Sequence, residues 1–279
     1  MERKIHFSQA NLQDFQDCRR RFFLRHVRKL AWPAVESQPM QENEIMREHG
    51  VAFHRLAQQY FLGIPESKLN ELNMEDPLHR WWQNFVETKS NFLAIENPRA
   101  RIFPEFTLNT VLEAHRLTAK FDLLVVLDDQ IIIFDWKTSR HRPDRKWLER
   151  KLQTRVYPFV AAKSGAYLLK GYQAIIPEKI KLVYWFAEFP DQPEIISYSK
   201  VKMDSDSHFL SAVIGEIAAL DVTDEEAFIR TSQEKICSFC VYRSLCGRGI
   251  AAGTDNEMED MLDLDAFSID LDQIAEVEF

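Results

Sequence analysis

The chain has 279 residues, 46% of them hydrophobic, 12% aromatic and 28% charged, with only 8 Gly and 11 Pro. A chain of this kind buries a core, which excludes a disordered polymer and a collagen-like repeat. Its longest apolar runs, Leu123 to Leu127 and Ile131 to Phe134, fall far short of the roughly 20 residues that a membrane span requires, so no membrane partner is expected. The N-terminal Met1-Glu2-Arg3-Lys4-Ile5-His6 shows no apolar stretch or small-residue cleavage site, and the expected location is the cytoplasm.

The formal charge of −8 argues at first against a nucleic-acid partner, but it is unevenly placed. Residues 249–279 hold ten carboxylates (Asp255, Glu257, Glu259, Asp260, Asp263, Asp265, Asp270, Asp272, Glu276, Glu278) and no Lys or Arg. Without them the chain carries 35 basic against 33 acidic residues, a net of +2. The tail is therefore an electrostatically separate object, open to three readings: a DNA mimic in a basic cleft, a lure for a basic partner, or a solvated segment.

Ser8 reads as the N-cap of a first helix, with Leu12, Phe15, Phe22 and Phe23 at helical spacing until Trp32-Pro33 ends it. Further helices are predicted over about 42–62, with Ile45, His49, Phe53, Leu56 and Tyr60 on one face, and over about 77–92. From residue 101 the texture changes to strands at 102–106, 117–127 and 131–136, the last two joined by a turn at Asp128-Asp129. A helix at 145–163, strands at 180–188 and 194–198 and a helix at 207–220 complete the pattern. The chain divides accordingly into an N-terminal helical region (1–100, with Cys18), an α/β core (101–222), a cysteine-bearing segment (223–248) and the acidic tail (249–279).

Cys237, Cys240 and Cys246 form a C-x2-C-x5-C run, and Cys18 is the one cysteine left to complete four ligands. Three cysteines so close together in a chain expected in a reducing compartment point to a metal site rather than disulfides. Zinc and a [4Fe-4S] cluster both accept four thiolates, and the ligand count does not separate them. The isolated fourth ligand is less typical of zinc ribbons, and the site would staple the two ends of the chain together.

Asp135 and Lys137 end an apolar strand, and the period of two puts both on one face, a carboxylate beside a cation. Asp122 interrupts another apolar strand, and antiparallel pairing around the turn brings it nearly opposite Asp135. Two carboxylates at that range call for a divalent cation between them, although an ordinary strand-end ion pair is the blander account. Gln153 and Tyr157 share a helix face beside a basic stretch containing Arg140 and Arg142. His54 alone is more often structural, and Glu105 alone could be a solvated strand carboxylate.

Taken in order, His54, Glu105, Asp122, Asp135-x-Lys137, Gln153-x-x-x-Tyr157 and the four cysteines resemble the PD-(D/E)XK nucleases of RecB type. The likeness is greatest to the iron-sulfur branch that includes the AddB C-terminal domain and the CRISPR adaptation nucleases. It covers about residues 8–247, with Ala119-Lys120-Phe121-Asp122 where the family often has Gly-x-x-Asp, and Asp-x-Lys in place of the commoner Glu-x-Lys. The resemblance implies a restriction-endonuclease-like αβββαβ core, preceded by helices, with a four-cysteine cluster joining the N- and C-terminal segments. It implies a DNA nuclease, acting as an exonuclease on single-stranded or end-containing DNA in repair, recombination or defence. His54, Asp122 and Asp135 would hold Mg²⁺ or Mn²⁺ with the Trp136 carbonyl. Lys137 would position water, Gln153 and Tyr157 would orient Lys137 or contact the strand, and Glu105 would bind a second ion or support the first. Cys18, Cys237, Cys240 and Cys246 would hold [4Fe-4S], with zinc as the alternative. Arg19, Arg20 and Arg21, with Arg140 and Arg142, form an expected phosphate track. No G-x-x-x-x-G-K-[ST] motif is present, so any ATP-driven motor would be another chain, a helicase or a recombination or adaptation partner. The competing class is a non-catalytic iron-sulfur or zinc module that binds nucleic acid within a larger complex.

Overall fold

The structure, a computed structural model, describes residues 6–31, 38–92, 97–169, 174–238 and 240–249, so the acidic tail beyond Gly249 lies outside the described residues. A two-residue strand, β1 (Phe7–Ser8), leads into helix α1 (Gln9–Asp17). Ser8 caps α1 reciprocally with Asn11: each side chain takes the other residue's backbone N–H. The sequence predicts one helix onward from here, but Cys18 is extended (φ −162, ψ 109) and breaks it. Helix α2 (Arg19–Phe22) and a π-helical turn (Phe23–Val27) follow. The break lets Arg21 fold back onto α1, with Nε 2.7 Å from Asp14 and Nη2 2.6 Å from Asp17.

Helices α3 (Gln38–Phe61), α4 (Glu66–Asn70) and α5 (Leu78–Phe92) come next. A long hairpin of β2 (Arg101–Leu112) and β3 (His115–Leu127) then turns through Glu113 and Ala114, both at left-handed φ. β4 (Gln130–Lys137) pairs antiparallel with β3. The helix predicted over 145–163 is two helices, α6 (Arg145–Arg150) and α7 (Leu152–Ser164), jointed at Lys151, whose ψ of 141 is extended. β5 (Ile180–Phe186) lies parallel to β4, β6 (Glu194–Ser197) pairs antiparallel with β5, and α8 (Lys200–Ala218) and the short α9 (Glu234–Cys237) complete the fold. The sheet runs β1-β3-β4-β5-β6, with β2 on the other side of β3. The order α5-β2-β3-β4-α7-β5 is the αβββαβ arrangement of a restriction-endonuclease-like core. Among the described residues no helix is long and apolar enough to cross a membrane.

The sheet has an apolar layer on each face. One joins Leu12, Phe15 and Phe22 of the N-terminal helices, Val156 and Phe159 of α7 and Leu210 and Ile214 of α8 to Phe121, Leu124, Ile131 and Ile133. The other joins Phe53 and Leu56 of α3 and Trp81, Trp82 and Phe85 of α5 to Leu123, Val125, Phe134, Trp136 and Trp185. The N-terminal helices are thus built into both layers. The second layer is dominated by rings: Phe53 stacks on Trp185 with centroids 5.7 Å apart and meets Trp81 and Phe85 edge-on. Phe53 is fully buried and precedes His54. Phe53→Ala is expected to cost about 3–5 kcal/mol, read as a lower denaturation midpoint with an unchanged slope.

Candidate active site

Strand alternation places the first half of the site. Along β4, Ile131 and Ile133 face the α7 layer and Phe134 and Trp136 the aromatic layer, so Asp135 and Lys137 emerge on the α7 side at the strand's end. There Lys137 Nζ lies 2.8 Å from Asp135 Oδ2 and donates to Gln153 Oε1 at 3.0 Å, while Gln153 Nε2 donates to Asp135 Oδ1. Asp135 and Gln153 are almost completely buried. Tyr157, one turn along α7, packs edge-on against Phe121. Burial, with Asp135 and Asp122 adding to it, raises the Tyr157 pKa well above the ordinary phenol value, so it stays neutral.

The second half comes from a change of face in the hairpin. On β3, Leu117, Ala119 and Phe121 face the α7 layer, yet Leu124 and Val126 do so further on, so the alternation slips by one at Asp122. β2 slips opposite it: Phe103 and Phe106, three apart, both pack on the α7 layer and meet at 5.1 Å. Because both strands slip together, the register is kept, with Pro104 paired to Leu123 and Phe106 to Phe121. Glu105 absorbs the change at φ 49, a left-handed conformation uncommon for a residue with a Cβ. The slip leaves Glu105 and Asp122 facing each other without an apolar layer to fill.

His54 of α3 closes over this break, its Nδ1 3.2 Å from Asp122 Oδ1 and its Nε2 3.1 Å from the Trp136 carbonyl. The other Asp122 oxygen accepts from the Trp136 N–H at 2.7 Å. Ligand atoms of His54, Glu105 and Asp122 all lie within 4.8 Å of one another, the one such group of His, Cys, Asp or Glu among the described residues. Asp135 follows Phe134, the partner of Leu123, and so stands beside Asp122 across the β3–β4 pair, with its oxygens toward Lys137 and Gln153. Lys120 also enters unforeseen, its Nζ 2.6 Å from Glu105. Its signal is the period of two from Asp122.

Burial alone would lower the His54 pKa, but the Asp122 carboxylate outweighs it and raises the value above the ordinary imidazole range. Asp122 moves the opposite way: burial opposes ionisation, and His54 with the Trp136 N–H overcomes it, lowering the pKa. Glu105 is raised by burial first and by Asp122 second, against the pull of Lys120. Such a pocket stabilises positive charge, and two carboxylates with an imidazole suit a divalent ion.

The expected phosphate track is largely engaged in ion pairs. Arg21 is 3% exposed and held by Asp14 and Asp17. Arg19 pairs with Glu216, Arg20 with Glu225, and Arg142 with Glu194 at 2.8 Å. Arg140 remains exposed in the segment after β4. Arg21, expected to meet phosphate, is instead a buried structural cation. Cys18 and the distant Cys237, Cys240 and Cys246 line one cavity together with Arg21, Arg230, Tyr242 and Arg243.

An α/β sheet that ends on Asp135-x-Lys137, with an acidic cation pocket beside it, defines a metal-dependent phosphodiesterase class of site. The chain belongs to the PD-(D/E)XK nuclease superfamily, whose profile matches residues 6–247, and nucleases of this superfamily use divalent metals. It is similar in fold to a candidate exonuclease from Eubacterium rectale, with 11% identity over 81% of this chain and 83% of that one and a TM-score of 0.51. The protein SSO0001 aligns over 88% of this chain and 87% of its own at 13% identity, with a TM-score of 0.42. No curated protein sequence matches the chain.

Ion binding at this pocket needs a neutral imidazole, so protons compete with metal. Mn²⁺ affinity is expected to fall up to about tenfold per pH unit as pH drops through the raised His54 pKa. His54→Ala should bind more weakly and lose the His54 part of that slope, which calorimetry across pH would register.

Proposed function

We propose that this chain is a divalent-metal-dependent deoxyribonuclease of the RecB-type, iron-sulfur branch, acting as an exonuclease on single-stranded or end-containing DNA. The observation that carries the reading is the Asp135–Lys137–Gln153 cluster set against the His54–Glu105–Asp122 pocket at the end of β4. The E. rectale protein's description as a candidate exonuclease supports the exonuclease mode.

In this reading His54, Asp122 and Asp135, with the Trp136 carbonyl, would hold Mg²⁺ or Mn²⁺, and Glu105, which borders His54 and Asp122, would support the site. The bound ion supplies Lewis-acid polarisation of the scissile phosphate and lowers the pKa of a water. Lys137 brings a positive charge to the phosphate oxygens and orients the attacking water. Its Nζ is held by the Gln153 amide oxygen and the Asp135 carboxylate, so the cation reaches the site pre-organised. Tyr157, neutral and buried, packs behind Phe121 and does not act as a base. Arg140, exposed in the segment after β4, would meet a DNA phosphate in this reading.

The shared cavity of Cys18, Cys237, Cys240 and Cys246 is read as a [4Fe-4S] site, with zinc as the alternative. Burial first, then the other cysteines, raises the pKa of Cys237, Cys240 and Cys246, Cys240 to about 11. Bound metal relieves both penalties, since it takes thiolates and neutralises their repulsion. A partner motor and a role in repair or defence remain part of the same proposal.

Lys137→Ala is expected to lower Mn²⁺-dependent cleavage of end-labelled DNA about 10²–10⁴-fold while folding and metal binding persist. Cleavage at the wild-type rate in that variant would refute the assignment. Separately, Cys240→Ser should remove visible absorbance and iron from anaerobically purified protein. Stoichiometric zinc in colourless wild type would replace the cluster by its alternative.

A further inference from the structure

We propose that Gln13 is a positioning residue that couples the cysteine cavity to Lys137. The inference rests on the nuclease reading above for its catalytic part, and on geometry for the rest.

The joint at Lys151 is the starting point. Because Lys151 is extended, α6 does not continue into α7, and helix continuity does not fix where α7 begins. Nor does the local sequence cap it: Lys151 makes no side-chain cap bond, and a helix start leaves its first N–H groups without intrahelical partners. The Leu152 N–H instead donates to Gln13 Oε1 at 3.4 Å, across 139 residues. Gln13 thus caps α7 from α1, against which α7 packs.

The other end of the Gln13 amide leads to the cysteines. Its Nε2 donates to Asp17 Oδ1 at 2.9 Å, and Asp17 Oδ2 accepts from Arg21 Nη2 at 2.6 Å. Arg21 lines the cysteine cavity. On the α7 side, the residue after Leu152 is Gln153, which holds both Lys137 and Asp135. Every step from cavity wall to catalytic cation is a hydrogen bond or an ion pair, except the one peptide from Leu152 to Gln153. A shift of Arg21 on emptying the cavity therefore moves Asp17 and Gln13, and the start of α7 with them. Misplacement of a reacting group by about 1 Å can cost about a hundredfold in rate, so a small shift at Gln153 suffices.

The alternative is that Gln13 only helps α1 pack on α7, in which case its loss lowers stability and nothing else. Three readouts on the full metal-loaded chain separate the two: hydrogen exchange at the start of α7, kcat against KM on end-labelled DNA, and visible absorbance. In Gln13→Leu, exchange at Leu152 and Gln153 should rise about five- to tenfold, the scale of a lost helix cap. kcat should fall about tenfold or more with KM little changed and absorbance intact. Gln13→Glu keeps the acceptor for the Leu152 N–H but loses the donor to Asp17 and sets two carboxylates against each other, so exchange at Leu152 should stay nearer wild type than in Gln13→Leu while its response to metal stripping is lost. Stripping the metal with a chelator should raise exchange at Leu152 in wild type and add little in Gln13→Leu, as coupled positions require. Wild-type exchange in Gln13→Leu overturns the proposal, as does a lower melting temperature with kcat unchanged. If Gln13→Leu does not fold, Gln13→Glu decides: a wild-type response of Leu152 exchange to metal stripping in that variant, with the Asp17 link lost, overturns the proposal. If wild type does not cut DNA, the nuclease reading fails, and the exchange arm still decides whether the cavity and α7 are coupled.

Discussion

The shared slip of β2 and β3 at Glu105 and Asp122 is the constraint on which the rest of the structure depends. A ribbon that kept strict alternation would put every second residue into one apolar layer along its length, and a carboxylate at 122 would have to enter a layer or solvent. By changing face together, the two strands keep their ladder and open one cross-strand position where carboxylates can face each other. The cost is concentrated in the left-handed Glu105. Everything nearby follows from that opening: His54 has an acid to meet, the Trp136 backbone has an acceptor, and Asp135 is left to Lys137 and Gln153.

A second constraint is electrostatic and lies in the N-terminal helices. Asp14 is almost fully buried, and burial alone would raise its pKa, yet Arg21, His26 and Arg25 around it hold the value at about 2. Removing one partner would strand buried charge, which costs far more than a surface pair contributes. The basic run from Arg19 to Arg28 is thus a structural knot first. This explains how a segment rich in arginine can leave little free positive surface, and why the net of +2 for residues 1–248 says little about where DNA lies.

Asp135 and Lys137 were legible because they stand where an apolar strand stops and period two puts them on one face. Asp122 was legible as a charge in an apolar run. The slip around it was not, because Leu123, Leu124, Val125 and Val126 are buried on both faces and leave no alternation to read. His54 gained its meaning only from the resemblance, since one histidine on a helix carries no spacing. The long first helix failed at Cys18, where tertiary ion pairs overrode a helical pattern, and the joint at Lys151 failed for a related reason. Its replacement cap, Gln13, acts from another part of the chain, which no local rule detects.

The two halves of the site are therefore held with different stiffness. His54 and the Trp136 carbonyl are backed by Phe53, Trp81, Phe85 and Trp185, a close-packed set of rings in which small displacements are resisted from every side. Lys137 and Gln153 depend on the start of α7, a helix jointed at Lys151 and fixed by hydrogen bonds to α1. Ion-holding groups gain from rigidity, because a divalent cation discriminates by geometry. In the proposed nuclease, Lys137 and Gln153 would meet a flexible polymer that must enter and leave, and a helix start set by a few polar contacts can adjust to it. The hydrogen-bonded half, rather than the aromatic one, is thus the half that the proposed coupling through Gln13 joins to the cysteine cavity.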